Sequence, residues 1–124
     1  MAAKRPKNLN LFTIRLPLPA LVSIMHRASG AFLFLLLPLL LLLFQQSLAS
    51  PDSYAEVHTL LKTPLFRLIY LLIIWAYLHH ALAGLRHLAL DAHLGLNLRF
   101  ARASSMSVLI VSGVLTVLMA FLLW

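Results

Sequence analysis

Three long apolar stretches, separated by short polar segments, organise this chain. The first runs from about Ala20 to Leu48 and contains the nearly unbroken run Ala31-Phe-Leu-Phe-Leu-Leu-Leu-Pro-Leu-Leu-Leu-Leu-Leu-Phe44; the second spans about 64–90 and the third about 105–124. Each meets the length of about 20 residues that a helix needs to cross a hydrocarbon layer ~30 Å thick. Inside that layer the backbone must satisfy its own hydrogen bonds, so the pattern predicts an all-α, integral membrane bundle of three transmembrane helices. Pro38 removes one backbone donor in mid-span and predicts a kink there. Residues 45–63 form the first connection, where Ser53-Tyr-Ala-Glu56 has the form of a capping box opening a short interfacial helix with Val57, Leu60 and Leu61 on one side. In the third span Ser112, Thr116 and Ala120 recur every four residues beside Gly113, a small-residue stripe that admits close approach of another helix of this chain or of a partner.

Composition sharpens this reading. The 124 residues are 62% hydrophobic and only 10% charged, and the mean hydropathy of +0.95 excludes a water-soluble domain. Three crossings leave no room for a separate soluble unit, so residues 1–124 read as a single membrane-anchor domain. Cysteine is absent, which excludes disulfides, iron–sulfur clusters and thiol chemistry. The formal charge of +7 sets ten Lys and Arg against Asp52, Glu56 and Asp91. These basic residues flank apolar runs instead of gathering on one soluble face, which indicates membrane topology and no nucleic-acid partner. Lys4, Arg5, Lys7, Arg15 and Arg27, with Arg86, Arg99 and Arg102, place the N-terminal arm (residues 1–19) and the second connection on the cytoplasmic side. The long basic arm lacks the form of a cleaved signal, and no Arg- and Ser-rich transit segment is evident. A multi-pass protein of a bacterial inner membrane is expected.

The second span carries the sequence Trp75-Ala-Tyr-Leu-His79-His80-Ala-Leu-Ala-Gly84-Leu-Arg86-His87-Leu-Ala-Leu-Asp91. Steps of four, seven and eleven residues nearly close whole helical turns, so His80, Gly84, His87 and Asp91 share one stripe. Ionisable groups inside a span are costly and point to function. His80, about ten residues from the cytoplasmic end, lies ~15 Å deep at 1.5 Å per residue. Three uses fit it: a structural hydrogen bond to another helix, a step in a proton relay with His87 and Asp91, or ligation of iron. Gly84, and Ala76 one turn the other way, leave its face clear for a flat macrocycle. His80 and His87 stand some 10 Å apart along one face, whereas two axial nitrogens lie roughly 4 Å apart across an iron. His79 projects about 100° away, and His26 is expected at the end of its span and not at mid-depth. A six-coordinate haem on His80 would therefore take its second ligand from another chain.

A second polar group, Ser23-Ile-Met-His26-Arg27-Ala-Ser-Gly30, opens the first span. Ser23 and Arg27 share a face at i, i+4 and are expected level with the Arg86–Asp91 end of span two. They read either as a helix cap with a snorkelling arginine or as a polar mouth for haem propionates or the carbonyl oxygens of a quinone.

Together, Arg5-Pro-Lys7, Thr13-Ile-Arg15, Pro17, Pro19, the segment Ser23–Gly30 and the set His80, Gly84, Arg86, His87, Asp91 resemble the cytochrome b membrane anchor of succinate dehydrogenase over essentially the whole chain. The resemblance implies an anchor of respiratory complex II that takes no part in the chemistry of succinate itself. It pairs with a second membrane anchor and docks an iron–sulfur protein and a flavoprotein. It further implies haem b, shared with that second anchor, with His80 as one axial ligand. Ser23 and Arg27 are expected in the ubiquinone site, and His26, Arg27 and His87 near the haem propionates. The doubled histidine leaves His79 as a competing ligand, and Thr13-Ile14-Arg15 lacks the tyrosine usual in the arm. The anchor of a quinol:fumarate reductase shares the same parts, and a haem-free protein relaying protons for transport is the alternative of another class.

Overall fold

A computed structural model describes Asn10 and residues 13–123. Four helices follow in order: α1 (Leu18–Ala49), α2 (Pro51–Leu61), α3 (Pro64–Asp91) and α4 (Leu98–Leu123). α1, α3 and α4 are long and apolar enough to cross a membrane, with mean hydropathies of 2.2, 1.7 and 2.6. No strand occurs among the described residues. The basic residues Lys4, Arg5 and Lys7 of the arm lie outside the described residues.

The helix starts follow from local chemistry. Proline fits the first turn of a helix, where its missing N–H has no intrahelical partner. Accordingly α1 begins behind Pro17 with Pro19 in its first turn, α2 begins at Pro51 behind Ser50, and α3 begins at Pro64 behind Thr63. Pro38 lies inside the continuous α1. The capping box of α2 stands one residue trio earlier than Ser53-x-x-Glu56. The Ser50 hydroxyl accepts from the Ser53 N–H (3.1 Å), and the Ser50 N–H donates to the Ser53 hydroxyl (2.9 Å). Pro51 at the first helical position fixes this register.

α4 starts at Leu98, seven residues before the apolar run, because Asn97 caps it: the Asn97 side-chain oxygen accepts from the Phe100 N–H at 2.7 Å. The turn before it closes α3 with a Schellman pattern. Leu94 N–H donates to the Ala89 carbonyl and His93 N–H to that of Leu90, with His93 itself at φ 61°.

α3 is the central element, packed against both α1 and α4, while α2 packs against α1. Val22 (α1), Ala83 (α3) and Val108 (α4) meet in the middle, and Ser105 and Ser112 of α4 are wholly buried. Small side chains thus occupy the helix interfaces, as membrane packing favours. The large ones face outward: Phe34, Leu35, Phe121 and Leu122 are each about three-quarters exposed. Of the α4 stripe, Ser112 turns inward, Thr116 and Ala120 are half-buried, and a side chain at Gly113 would meet nothing within 4 Å.

Candidate functional site

The polar residues of α1 and α3 converge at one end of the bundle. The His26 ring stacks on the His80 ring with centroids 4.3 Å apart and planes 9° from parallel, and it lies 5.0 Å from the His87 ring at 48°. His26 therefore stands level with the middle of the α3 stripe and not at the extremity of its helix. The physical reason is the axial offset between α1 and α3, set where Val22 packs on Ala83, which brings His26, two turns into α1, to this level. The clearing over Gly84 is correspondingly taken by His26, whose Nε2 would lie 3.4 Å from a Cβ at that glycine. Asp91, the fourth member of the stripe, is the exposed last residue of α3.

His80 is held from α1. Its Nδ1 lies 3.0 Å from the His26 carbonyl oxygen and 3.4 Å from the Ser29 hydroxyl, and that hydroxyl itself donates to the same carbonyl at 2.9 Å. A carbonyl oxygen only accepts, so Nδ1 must carry the proton and donate. His80 Nε2 is then the nitrogen with the lone pair, and it makes no hydrogen bond among the described residues. A histidine that ligates a metal characteristically gives its other N–H to a backbone carbonyl in this manner. This anchoring of Nδ1 fits a haem iron bound at Nε2, while the clearing over Gly84 is filled by His26. A bare ion fits poorly. Stacked imidazoles direct their in-plane lone pairs along parallel planes, and no group of three or more donors disposed to hold a metal ion occurs among the described residues.

His79 occupies a different environment. It is wholly buried, stacks on Trp75 at 5.4 Å, and faces the Val22 backbone of α1, yet neither ring nitrogen completes a hydrogen bond. Beside it, Ala76 is 3% exposed and, with Ser29, Met25 and Trp75, lines a cavity of about 220 Å³.

Ser23 and Arg27 form the adjoining pair. Arg27 Nη2 donates to the Ser23 hydroxyl (3.3 Å) and its Nε to the Ser23 carbonyl (3.4 Å). The guanidinium is exposed, and no carboxylate among the described residues pairs with it. It keeps donors available for an oxygen-bearing ligand.

Arg86 has a role that its spacing from His80 did not reveal. The side chain is buried at 9% exposure and ties α3 to α4: Nε donates to the Ser104 hydroxyl at 3.0 Å and Nη2 to the Ala101 carbonyl at 3.3 Å. The clue in sequence was Ser104, part of the Ser104-Ser105 pair just beyond the Arg99–Arg102 segment.

A family model described as succinate dehydrogenase/fumarate reductase transmembrane subunit matches residues 1–119. The chain belongs to this family. It is 38% identical over 125 residues to the succinate dehydrogenase cytochrome b556 subunit of Coxiella burnetii, covering 100% of both chains. To the protein of the same name from Paracoccus denitrificans it is 37% identical over 114 residues, covering 92% of this chain and 88% of that one. It is thus a succinate dehydrogenase/fumarate reductase transmembrane cytochrome b protein, and its three apolar helices are consistent with a multi-pass protein of a bacterial inner membrane.

Proposed function

We propose that this chain is the anchor of a succinate:quinone oxidoreductase. In this reading His80 ligates a haem b shared with a second membrane anchor, and Ser23 and Arg27 form part of the site that reduces ubiquinone. The observation that carries it is the anchoring of His80 by Nδ1 on the His26 carbonyl, which leaves Nε2 for iron. When bound, the haem supplies a one-electron carrier between the peripheral dehydrogenase and quinone. His26 lies against His80 and Gly84, and His87 lies against His26, where a propionate would find imidazole N–H donors. Arg27, held by Ser23, offers charged N–H groups to a quinone oxygen and supports the charge that develops on that oxygen during reduction. The flavoprotein and iron–sulfur partners expected of the family dock on the side bearing the N-terminal arm and the α3–α4 turn, which the basic residues assign to the cytoplasm.

The test is the assembled complex purified with His80→Leu and examined by reduced-minus-oxidised absorption. Loss of the low-spin haem bands is the expected result. Retention of a wild-type spectrum refutes the assignment.

A further inference from the structure

We infer that Ser29 and Gly30 are positioning residues for the axial histidine: they form a seat on α1 that fixes both the tautomer and the ring plane of His80. The inference rests on the reading of His80 as the iron ligand and concerns residues to which that reading gives no part.

Two independent contacts make the seat. The first is polar. Ser29 sits one turn after His26 on α1 and is buried. Its hydroxyl proton is committed to the His26 carbonyl at 2.9 Å, so at His80 Nδ1, 3.4 Å away, it presents oxygen lone pairs and no proton. The His26 carbonyl, 3.0 Å from Nδ1, is likewise an acceptor. Nδ1 therefore faces two acceptors and no donor. The opposite tautomer, with its proton on Nε2, would set the Nδ1 lone pair against the His26 carbonyl oxygen at 3.0 Å, and the one Ser29 proton could serve only one of these two acceptors; it would also remove the lone pair that iron requires.

The second contact is steric. A Cβ built on Gly30 would lie 2.7 Å from His80 Cε1, 3.1 Å from Nδ1 and 3.7 Å from Nε2. The imidazole edge thus rests directly on the backbone of α1, and any side chain at position 30 drives it off the carbonyl that orients it. His26 closes the remaining side by stacking at 4.3 Å. Gly113 provides the contrast, since a Cβ there meets nothing within 4 Å.

The seat sets how strongly Nε2 donates. A ligating imidazole whose Nδ1–H is shared between two acceptors carries more negative charge, favours ferric over ferrous iron and lowers the midpoint potential. Ser29→Ala removes one acceptor and leaves the other, so the haem stays low-spin while its potential rises. The expected size is a ~3- to 10-fold increase in the reduced-to-oxidised ratio at fixed potential, up to one step of about 59 mV for a one-electron couple. Ser29→Thr keeps the hydroxyl and returns the potential to the wild-type value. Gly30→Ala displaces the ring, and the expected result is loss of low-spin haem or altered g values in the electron paramagnetic resonance spectrum, which report the imidazole planes.

The experiment is redox titration and electron paramagnetic resonance of the intact complex carrying each substitution, with His80→Leu alongside. If Ser29→Ala leaves the potential at the wild-type value, or if Ser29→Thr shifts it as far as Ser29→Ala does, the polar half of the seat is overturned. If Gly30→Ala leaves g values and bands unchanged, the steric half is overturned. In either case, loss of haem in His80→Leu shows that the ligand assignment itself stands. A low-spin spectrum that survives His80→Leu overturns that assignment instead, and the seat with it.

Discussion

His79 and His80 are neighbours in sequence with opposite surroundings, and replacing His79 by leucine puts the difference to a quantitative test. His79 is fully buried with both ring nitrogens unpartnered. A desolvated polar group without a hydrogen bond costs about 1–3 kcal/mol. Leucine, of comparable bulk, removes that cost and gives up the stacking on Trp75, an aromatic contact of about 0.5–1.5 kcal/mol. The two effects leave His79→Leu between about 0.5 kcal/mol destabilising and about 2.5 kcal/mol stabilising, centred on a sign opposite to that of most core substitutions. The assay is the melting temperature of the purified complex, followed together with its haem absorption. The expected result is an unchanged or higher melting temperature with the haem bands intact. A drop equivalent to more than about 2 kcal/mol, or loss of haem, would refute the reasoning, because it would mean that His79 holds a partner worth more than the unsatisfied pair of nitrogens costs.

Three further outcomes follow from the same geometry. Arg27→Leu and Ser23→Ala should each lower succinate–quinone turnover about ten- to a hundred-fold, the effect of losing a charge-assisted hydrogen bond of ~1.5–3 kcal/mol, while succinate oxidation with a water-soluble acceptor continues at the wild-type rate; equal loss in both assays would point to failed assembly instead. Ser50→Ala breaks the reciprocal cap of α2 and should cost about 1 kcal/mol, read as a lower melting temperature that Ser50→Asn largely restores. Purified without its partners, the chain should be unstable or lack bis-histidine haem, since His26 stacks parallel on His80 at 4.3 Å and the two rings cannot face each other across an iron; a full complement of six-coordinate low-spin haem in the lone chain would contradict this.

The spans were legible in sequence because apolar length alone specifies a crossing, and α1, α3 and α4 fall where the hydropathy does. Their ends were less so. The first cap of α2 lies at Ser50 because Pro51 fills the first helical position, and α4 begins at Leu98 because a single Asn97 side chain replaces a missing backbone partner. Within the site, the helical period correctly separated His79 from the His80 stripe, since direction around one helix depends only on residue number. It could not give the axial offset between two helices. That offset brings His26 onto His80 and over Gly84, and it emerges from how Val22, Ala83 and Val108 interlock. Arg86 is the same kind of case: charge near a span end suggested topology, whereas its two hydrogen bonds to α4 depend on where Ser104 and the Ala101 carbonyl come to lie.

Offsets of this kind bear on how such a chain would recognise the second anchor proposed above. In a bilayer an outward leucine or phenylalanine has no preference between lipid tails and another helix, so the exposed Phe34, Leu35, Phe121 and Leu122 give no direction to assembly. Direction comes from atoms that lipid cannot satisfy. His80 Nε2 and the Arg27 donors are such atoms, and both lie near the His26 end of α1. A polar group in hydrocarbon that finds its partner only in the assembled complex makes that complex more stable than either protein apart. On the proposed reading the same histidine serves both electron transfer and partner recognition, and a substitution that weakens its hold on iron should also weaken retention of the partner in detergent, in step with the loss of haem.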